Sequence, residues 1–311
     1  MVAWLESSAA GCRLGTLSGG TPRFVRYLRA CSPGPNDLAL VGTRAAWGGY
    51  QDVRCTEFVA EVFAENGAAA HLVQDVDGDC LGYRTSYRGL AADGKSFFYA
   101  LLDTKPPAAS SSCGNGGGCH WQLAGGRVMR ISGARAAAVP GLPPAALIAG
   151  DAGRVAIVAP ATAASSNGRT FDWPRAATNG DVQIRDSTSA RLLASFRTDG
   201  VARAVALSQR LAAVLVQVGS GLRLEWYDAG SGRRLGSASV PRSTAQSVST
   251  DGRFIVFSVG NSIRALDTAA GGKTTVRWRG SRPPVGLSVR AGRVVWGEDV
   301  GATARILSLG A

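Results

Sequence analysis

The sequence predicts an all-β fold in which one small antiparallel sheet is repeated along the chain, and three observations carry that prediction. Short apolar runs rich in β-forming residues recur at positions 1–4, 44–47, 96–100, 154–158, 211–216, 253–257 and 293–296, with centres 40 to 58 residues apart. Five of the seven follow a small turn: Ala92–Gly94, Asp151–Gly153, Ser208–Gln209, Asp251–Gly252 and Ala291–Gly292. Such turns between apolar runs signal hairpins, because Gly accepts the positive φ that a tight reversal demands. Third, long amphipathic helical runs are missing. The one stretch that resembles a helix, Cys55–Ala70, is interrupted by Asn66–Gly67 and reads as two strands. Each unit therefore runs strand, turn, strand, variable loop, strand, turn, strand. Four short strands every ~40–50 residues is the period of a β-propeller blade.

The second half of each unit is clearest at three places. Strand 182–186 leads to 191–195, 222–228 to 234–238, and 262–267 to 274–276. Asp186, Asp228 and Asp267 each close a third strand, where a carboxylate can accept the N–H groups of the following turn. Trp4, Trp47 and Trp296 share one repeat position and are expected to pack between blades.

On these residues a resemblance can be stated. The stretch 181–196, with Asp186 closing the strand before its hairpin, resembles a WD-type repeat. The stretch 265–273, followed by Trp278, is similar to the repeat of pyrroloquinoline-quinone-type bacterial propellers, with an extra Gly where those repeats carry Thr-Gly. The resemblance covers roughly two-thirds of the chain at superfamily level. It implies a fold and not a function. A quinone-dependent dehydrogenase does not follow, because only the structural repeat is shared, and no cofactor is expected.

Seven units suggest a single domain over 1–311, a β-propeller of seven four-stranded blades, with six or eight as alternatives. The first unit begins inside its second strand and the last stops after a third strand, 304–309, so the sequence reads as N-terminally truncated or as given a mis-called start. Closed propellers complete a blade from both termini, since an unpaired edge invites aggregation.

Composition narrows the function classes. The chain has 45% hydrophobic residues, a mean hydropathy of +0.05 and 41 Gly in 311 residues, which excludes a disordered tail protein. No run approaches ~18 apolar residues, which excludes a spanning helix. The net charge of +12 would suit a nucleic-acid binder. Yet 31 of the 34 basic residues are Arg, as codon bias in a GC-rich genome would produce, and they are scattered singly. A phosphate-binding face needs a clustered patch, so nucleic acid is not the expected partner.

All six cysteines precede position 120: Cys12, Cys31, Cys55, Cys80, Cys113 and Cys119. Counting alone allows 15 pairings, but the repeat selects one. Cys12 and Cys55 each lie eight positions after an equivalent Trp, and Cys31 and Cys80 lie beyond the following hairpin. The expected bridges are Cys12–Cys31, Cys55–Cys80 and, across a Gly-rich loop, Cys113–Cys119; six buried free thiols are the competing reading. Disulfides imply an extracytoplasmic compartment, whether secreted, periplasmic or cell-surface. No export signal is legible: residues 1–11 carry Glu6 and no apolar segment, and Ala9–Cys12 lacks the leading Leu of a lipoprotein box.

Chemistry-bearing motifs are few. Asp75, Asp77 and Asp79 alternate as calcium ligands do, but Cys80 and Ser86 stand where a calcium loop needs Gly and Glu, so an Asp-rich turn is favoured. The only histidines, His71 and His120, have no neighbours that nominate a triad, and there is no Gly-x-Ser-x-Gly elbow. The two longest inserts, 104–118 and 161–180, fall between second and third strands of consecutive units and should emerge side by side. Lys105, Arg169, Phe171, Asp172, Trp173 and Arg175 give this face the Arg and aromatic residues enriched at binding hot spots. The sequence thus points to a non-enzymatic monomer that binds a protein or cell-envelope component through one loop face. The alternative is a hydrolase or lyase with a metal site in the central channel.

Overall fold

A computed structural model describes residues 2–8, 11–18, 21–28, 37–42, 44–51, 57–63, 71–76, 84–105, 120–132, 135–161, 163–165, 178–241, 247–300 and 303–311. These form seven antiparallel sheets, lettered A to G in chain order. Sheet A is β1 (Val2–Ser8), β2 (Gly11–Ser18) and β3 (Thr21–Leu28). Sheet B is β4 (Asp37–Val41), β5 (Arg44–Gln51), β6 (Glu57–Phe63) and β7 (His71–Val76). Sheet C is β8 (Arg84–Ala92), β9 (Phe97–Lys105), β10 (His120–Ser132) and β11 (Arg135–Ala138). Sheet D starts with β12 (Leu147–Asp151) and β13 (Arg154–Pro160). The short β14 (Ala163–Ser165) then leaves it to pair with β10, and β15 (Thr178–Asp186) and β16 (Leu192–Arg197) complete sheet D. Sheet E is β17 (Val201–Leu207), β18 (Leu211–Val218), β19 (Gly221–Asp228) and β20 (Arg234–Val240). Sheet F is β21 (Val248–Thr250), β22 (Phe254–Val259), β23 (Ser262–Asp267) and β24 (Thr274–Arg279). Sheet G is β25 (Val285–Arg290), β26 (Arg293–Val300) and β27 (Thr303–Gly310).

The seven apolar runs fall on β1, β5, β9, β13, β18, β22 and β26, the second strands of sheets B to G and the first of sheet A. Their near-continuous hydrophobicity has a simple cause. A strand covered on both faces need not alternate, and Leu211–Val216 of β18 are buried without a break. The stretch 55–70 holds no described helix: β6 and β7 flank the predicted turn. Among the described residues the only helical element is a 3₁₀ turn, Thr268–Ala270, whose first N–H groups Asp267 caps.

Two compact units divide the chain: Met1–Ile148 with Pro160–Ala177 and Ser187–Ala190, and Ala149–Ala159 with Thr178–Asp186 and Arg191–Ala311. In the first, sheets B and C enclose Ala39, Val41, Ala46, Tyr87, Phe97, Tyr99, Leu101 and Ile131. Each large side chain buried there contributes about 1.5–3 kcal/mol. In the second unit, alternation along a strand feeds two seams at once. Ile255 and Phe257 pack against Leu211, Leu215 and Trp226 of sheet E, while Val256 packs with Val289, Val294 and Trp296 of sheet G. Trp296 lies against Trp278 with ring centroids 5.2 Å apart, as expected for its repeat position. Gly236 is required at the E–F seam, since a Cβ there would stand 2.3 Å from the Trp226 ring.

The turns between first and second strands are tied from sheet to sheet. Asp251 accepts the N–H groups of Arg253 and Phe254 through one oxygen and that of Gly292, in the next sheet's turn, through the other. Asp151 accepts the Gln209 N–H, and Arg154 donates to the Gln209 carbonyl. In the first unit Arg44 donates to the Lys95 carbonyl, and buried Asp93 accepts from Lys95 N, Ser96 N and the Ser187 hydroxyl.

Candidate functional site

The inserts after the second strands of sheets C and D share a root. β9 and β10 run on together as a ribbon to the end of β9, with Thr104 opposite Leu123 and Lys105 opposite Gln122, and β8 follows them as far as Arg84, opposite Thr104. A bulge at Leu123–Gly125 precedes that extension. One extra residue, Ala124, bends the strand and re-aims the ribbon. Gly126 holds the base, because a Cβ there would stand 2.7 Å from Leu102 Cδ2 and 2.9 Å from Pro144 Cβ. Beside it Arg127 and Asp103 form a 2.8 Å ion pair across the two strands. Beyond the bulge β14, from the second insert, adds a third strand: Ala163, Ala164 and Ser165 lie opposite Gln122, Trp121 and His120. The sequence did not announce β14, whose Ala-Ala-Ser carries no strand signal of its own.

Of the predicted binding residues, Lys105 ends β9 on this ribbon. Arg169, Phe171, Asp172, Trp173 and Arg175 lie outside the described residues. So do Cys31, Cys55, Cys80, Cys113 and Cys119, and with them the three predicted bridges; Cys12 stands in β2 opposite Ser7. Asp75 lies in strand β7 opposite Val59, while Asp77 and Asp79 are outside the described residues. His71 opens β7 and His120 opens β10. Among the described residues no three His, Cys, Asp or Glu side chains come together as a metal site. Asp228 and Asp267 act as turn acceptors, Asp228 for Gly230 N and Ser231 N and Asp267 for Ala269 N.

A buried charge network between sheets D and E was not picked out from the sequence. Glu225, at 0% exposure, accepts from Arg223 at 2.9 Å and from the Tyr227 hydroxyl at 2.6 Å, and lies 3.3 Å from Arg234. Arg223 and Arg234 also hold Asp199, at 2.5 and 2.7 Å. Two guanidinium groups thus meet two carboxylates. Tyr227 stacks on Phe196 with ring centroids 3.8 Å apart. Burial, then the Glu225 carboxylate, push the Tyr227 hydroxyl above its ordinary range. The Arg234 hydrogen bond holds Asp199 below the ordinary carboxylate value. The available signal was the alternation Arg223, Glu225, Tyr227, which places three polar groups on one face of an otherwise apolar strand.

No protein-family model matches the sequence, and no curated protein matches it. Solved structures do resemble it. The RRP9 WD40 repeats match at a TM-score of 0.54 and 11% identity, over 95% of this chain and 83% of that one. The computationally designed Ika8 protein matches at 0.53 and 10%, over 99% and 93%. The β-propeller domain of the Trilobed protease from Pyrococcus furiosus matches at 0.50 and 12%, over 88% and 81%. At these identities the likeness concerns fold alone. The protein has a β-propeller fold of mostly four-stranded antiparallel sheets. No helix among the described residues is long and apolar enough to cross a membrane.

Proposed function

We propose that the chain is a single seven-bladed propeller, acting outside the cytoplasm as a monomeric, non-enzymatic binding protein. Its partner, a protein or cell-envelope component, docks on the loop face where the inserts of sheets C and D emerge. One observation carries this reading: β14 of the second insert pairs with the start of β10, at the mouth of the first, so both inserts are rooted in one ribbon. Loops held on a rigid frame commonly carry recognition. The inserts supply Lys105, Arg169 and Arg175 against the single acid Asp172, with Phe171 and Trp173 among them. Six cysteines paired in sequence order support the compartment. The docking test places a photo-crosslinking residue at Trp173 and, as control, at exposed Arg233 in a turn between third and fourth strands. Adducts from Trp173 alone, lost in Arg169→Ala with Arg175→Ala, are expected; equal adducts from both positions would reject the face. For the compartment, alkylation without reduction should leave the mass unchanged, whereas six alkylated thiols would refute it.

A further inference from the structure

Strand β23 of sheet F repeats β19 of sheet E, residue for residue: Asp267 corresponds to Asp228 at the strand end, and Arg264 to Glu225 three residues earlier. The register gives both the same relation to the preceding sheet. Arg264 lies opposite Phe257, which packs at the E–F seam, so its side chain is on that seam as Glu225 is on the D–E seam. Ser262 and Arg279 form the neighbouring cross-strand pair on the same face.

The two seams differ in charge compensation. At D–E two guanidinium groups are matched by Glu225 and Asp199. At E–F the buried Arg264 Nε has no hydrogen-bond partner. Neither Arg264 nor Arg279 has an ion pair among the described residues. The four carboxylates between positions 200 and 280 are engaged elsewhere: Glu225 at D–E, Asp228 and Asp251 in their turns, and Asp267 with Arg253 at 2.8 Å. The connecting segment 241–247 contains no Asp or Glu. A buried donor on a cation without an acceptor is costly. A fork of N–H groups is matched by one chemical class, an oxyanion.

We propose that Arg264, with Arg279 as its diagonal neighbour, forms an oxyanion site at the E–F seam that takes a carboxylate or phosphate group in the role Glu225 and Asp199 play one sheet earlier. The inference is independent of the loop-face reading above. The test follows thermal unfolding and calorimetric binding of the full chain with inorganic phosphate and with acetate, against chloride at matched ionic strength. Phosphate, acetate or both should raise the melting temperature saturably while chloride does not, and the responding anion identifies the group. Arg264→Met should weaken binding by about tenfold or more, the loss of a charge-assisted pair of bonds, and Arg264→Lys by less. Should Arg264→Met not fold, exposed Arg279→Gln serves instead, with a several-fold loss expected. A response equal in chloride, absent with both anions, or unchanged in whichever of these variants folds overturns the site.

Discussion

The two ends of each sheet are built on different principles. At the end that carries the turns between first and second strands, one tie recurs: an Asp in one turn accepts from the backbone of the next, as Asp251 does from Gly292 and Asp151 from Gln209. An Arg opening the second strand adds a bond to the neighbouring carbonyl at Arg44 and Arg154. At the opposite end the side-chain contacts among the described residues differ from sheet to sheet. Thr198 ties Gly180 and Gly200, the Glu225 network closes the D–E seam, Arg264 stands uncompensated at E–F, and the long inserts leave sheets C and D. Repetition marks the end where the turns are tied from sheet to sheet, and variation marks the end where the proposed binding face lies.

The largest effect expected from breaking this contrast is at Glu225. Glu225→Gln removes a buried charge while leaving Arg223, Arg234 and Tyr227 in place. Breaking a buried pair this way costs about 3–5 kcal/mol, toward the lower figure here because both guanidiniums are partly exposed and keep Asp199. Urea unfolding should show it as a lower midpoint at unchanged slope. A loss below ~1 kcal/mol would mean that the D–E seam is held by its apolar contacts alone. Next comes Asp251→Ala, which deprives three N–H groups of their acceptor and should cost about 1–2 kcal/mol by the same measurement. Asp251→Asn should recover part of that loss, since an amide oxygen still accepts.

How much of this was legible in the sequence tracks the same divide. The turn end announces itself because Asp93, Asp151 and Asp251 precede apolar runs that must be continuous to be buried on both faces, so the strands could be counted from those signals. The third strands were legible from Asp228 and Asp267 for a related reason: a carboxylate that accepts its own turn is a local device. The loop end was not legible. Glu225 meets Asp199 from the connection between sheets D and E, and 26 positions separate them, so no local pattern joins the two. Arg264 sits where its neighbour carries Glu225, a difference that means nothing until the register is known. β14 exists only because β10 offers it an edge.

Acid should reach the two ends together. Asp199, Asp228 and Asp267 all lie below the ordinary value of 3.8, through the Arg234 hydrogen bond, the Ser231 hydroxyl and the Arg253 hydrogen bond respectively. In each case the unfolded chain takes up protons first. The stabilisation is therefore complete above 3.8 and is lost as pH falls through each depressed folded value. The melting temperature should fall with acid over that range, modestly because all three groups are solvent-screened. Asp199→Asn should flatten the slope; an identical slope in that variant would remove Asp199 from the account. Tyr227 acts at the other limit: its raised value means stability is lost as pH rises past 10, where the unfolded tyrosine ionises first.

The smallest effect is expected at the insert, and it is the sharpest test of the contrast. If the loop end is free to vary, replacing 166–177 with a short Gly-Ser linker, keeping Ala163–Ser165 and Thr178, removes the proposed recognition residues and should leave the seams intact. The β14 pairing to His120–Gln122 is retained, and so are the Gly126 contact with Pro144 and the Asp103–Arg127 pair at the ribbon base. Surface changes away from packed features shift stability by no more than about 0.5 kcal/mol, so the unfolding midpoint should stay within that margin. A loss comparable to Glu225→Gln would instead make the insert part of the framework, because only packing or a buried bond could be worth so much.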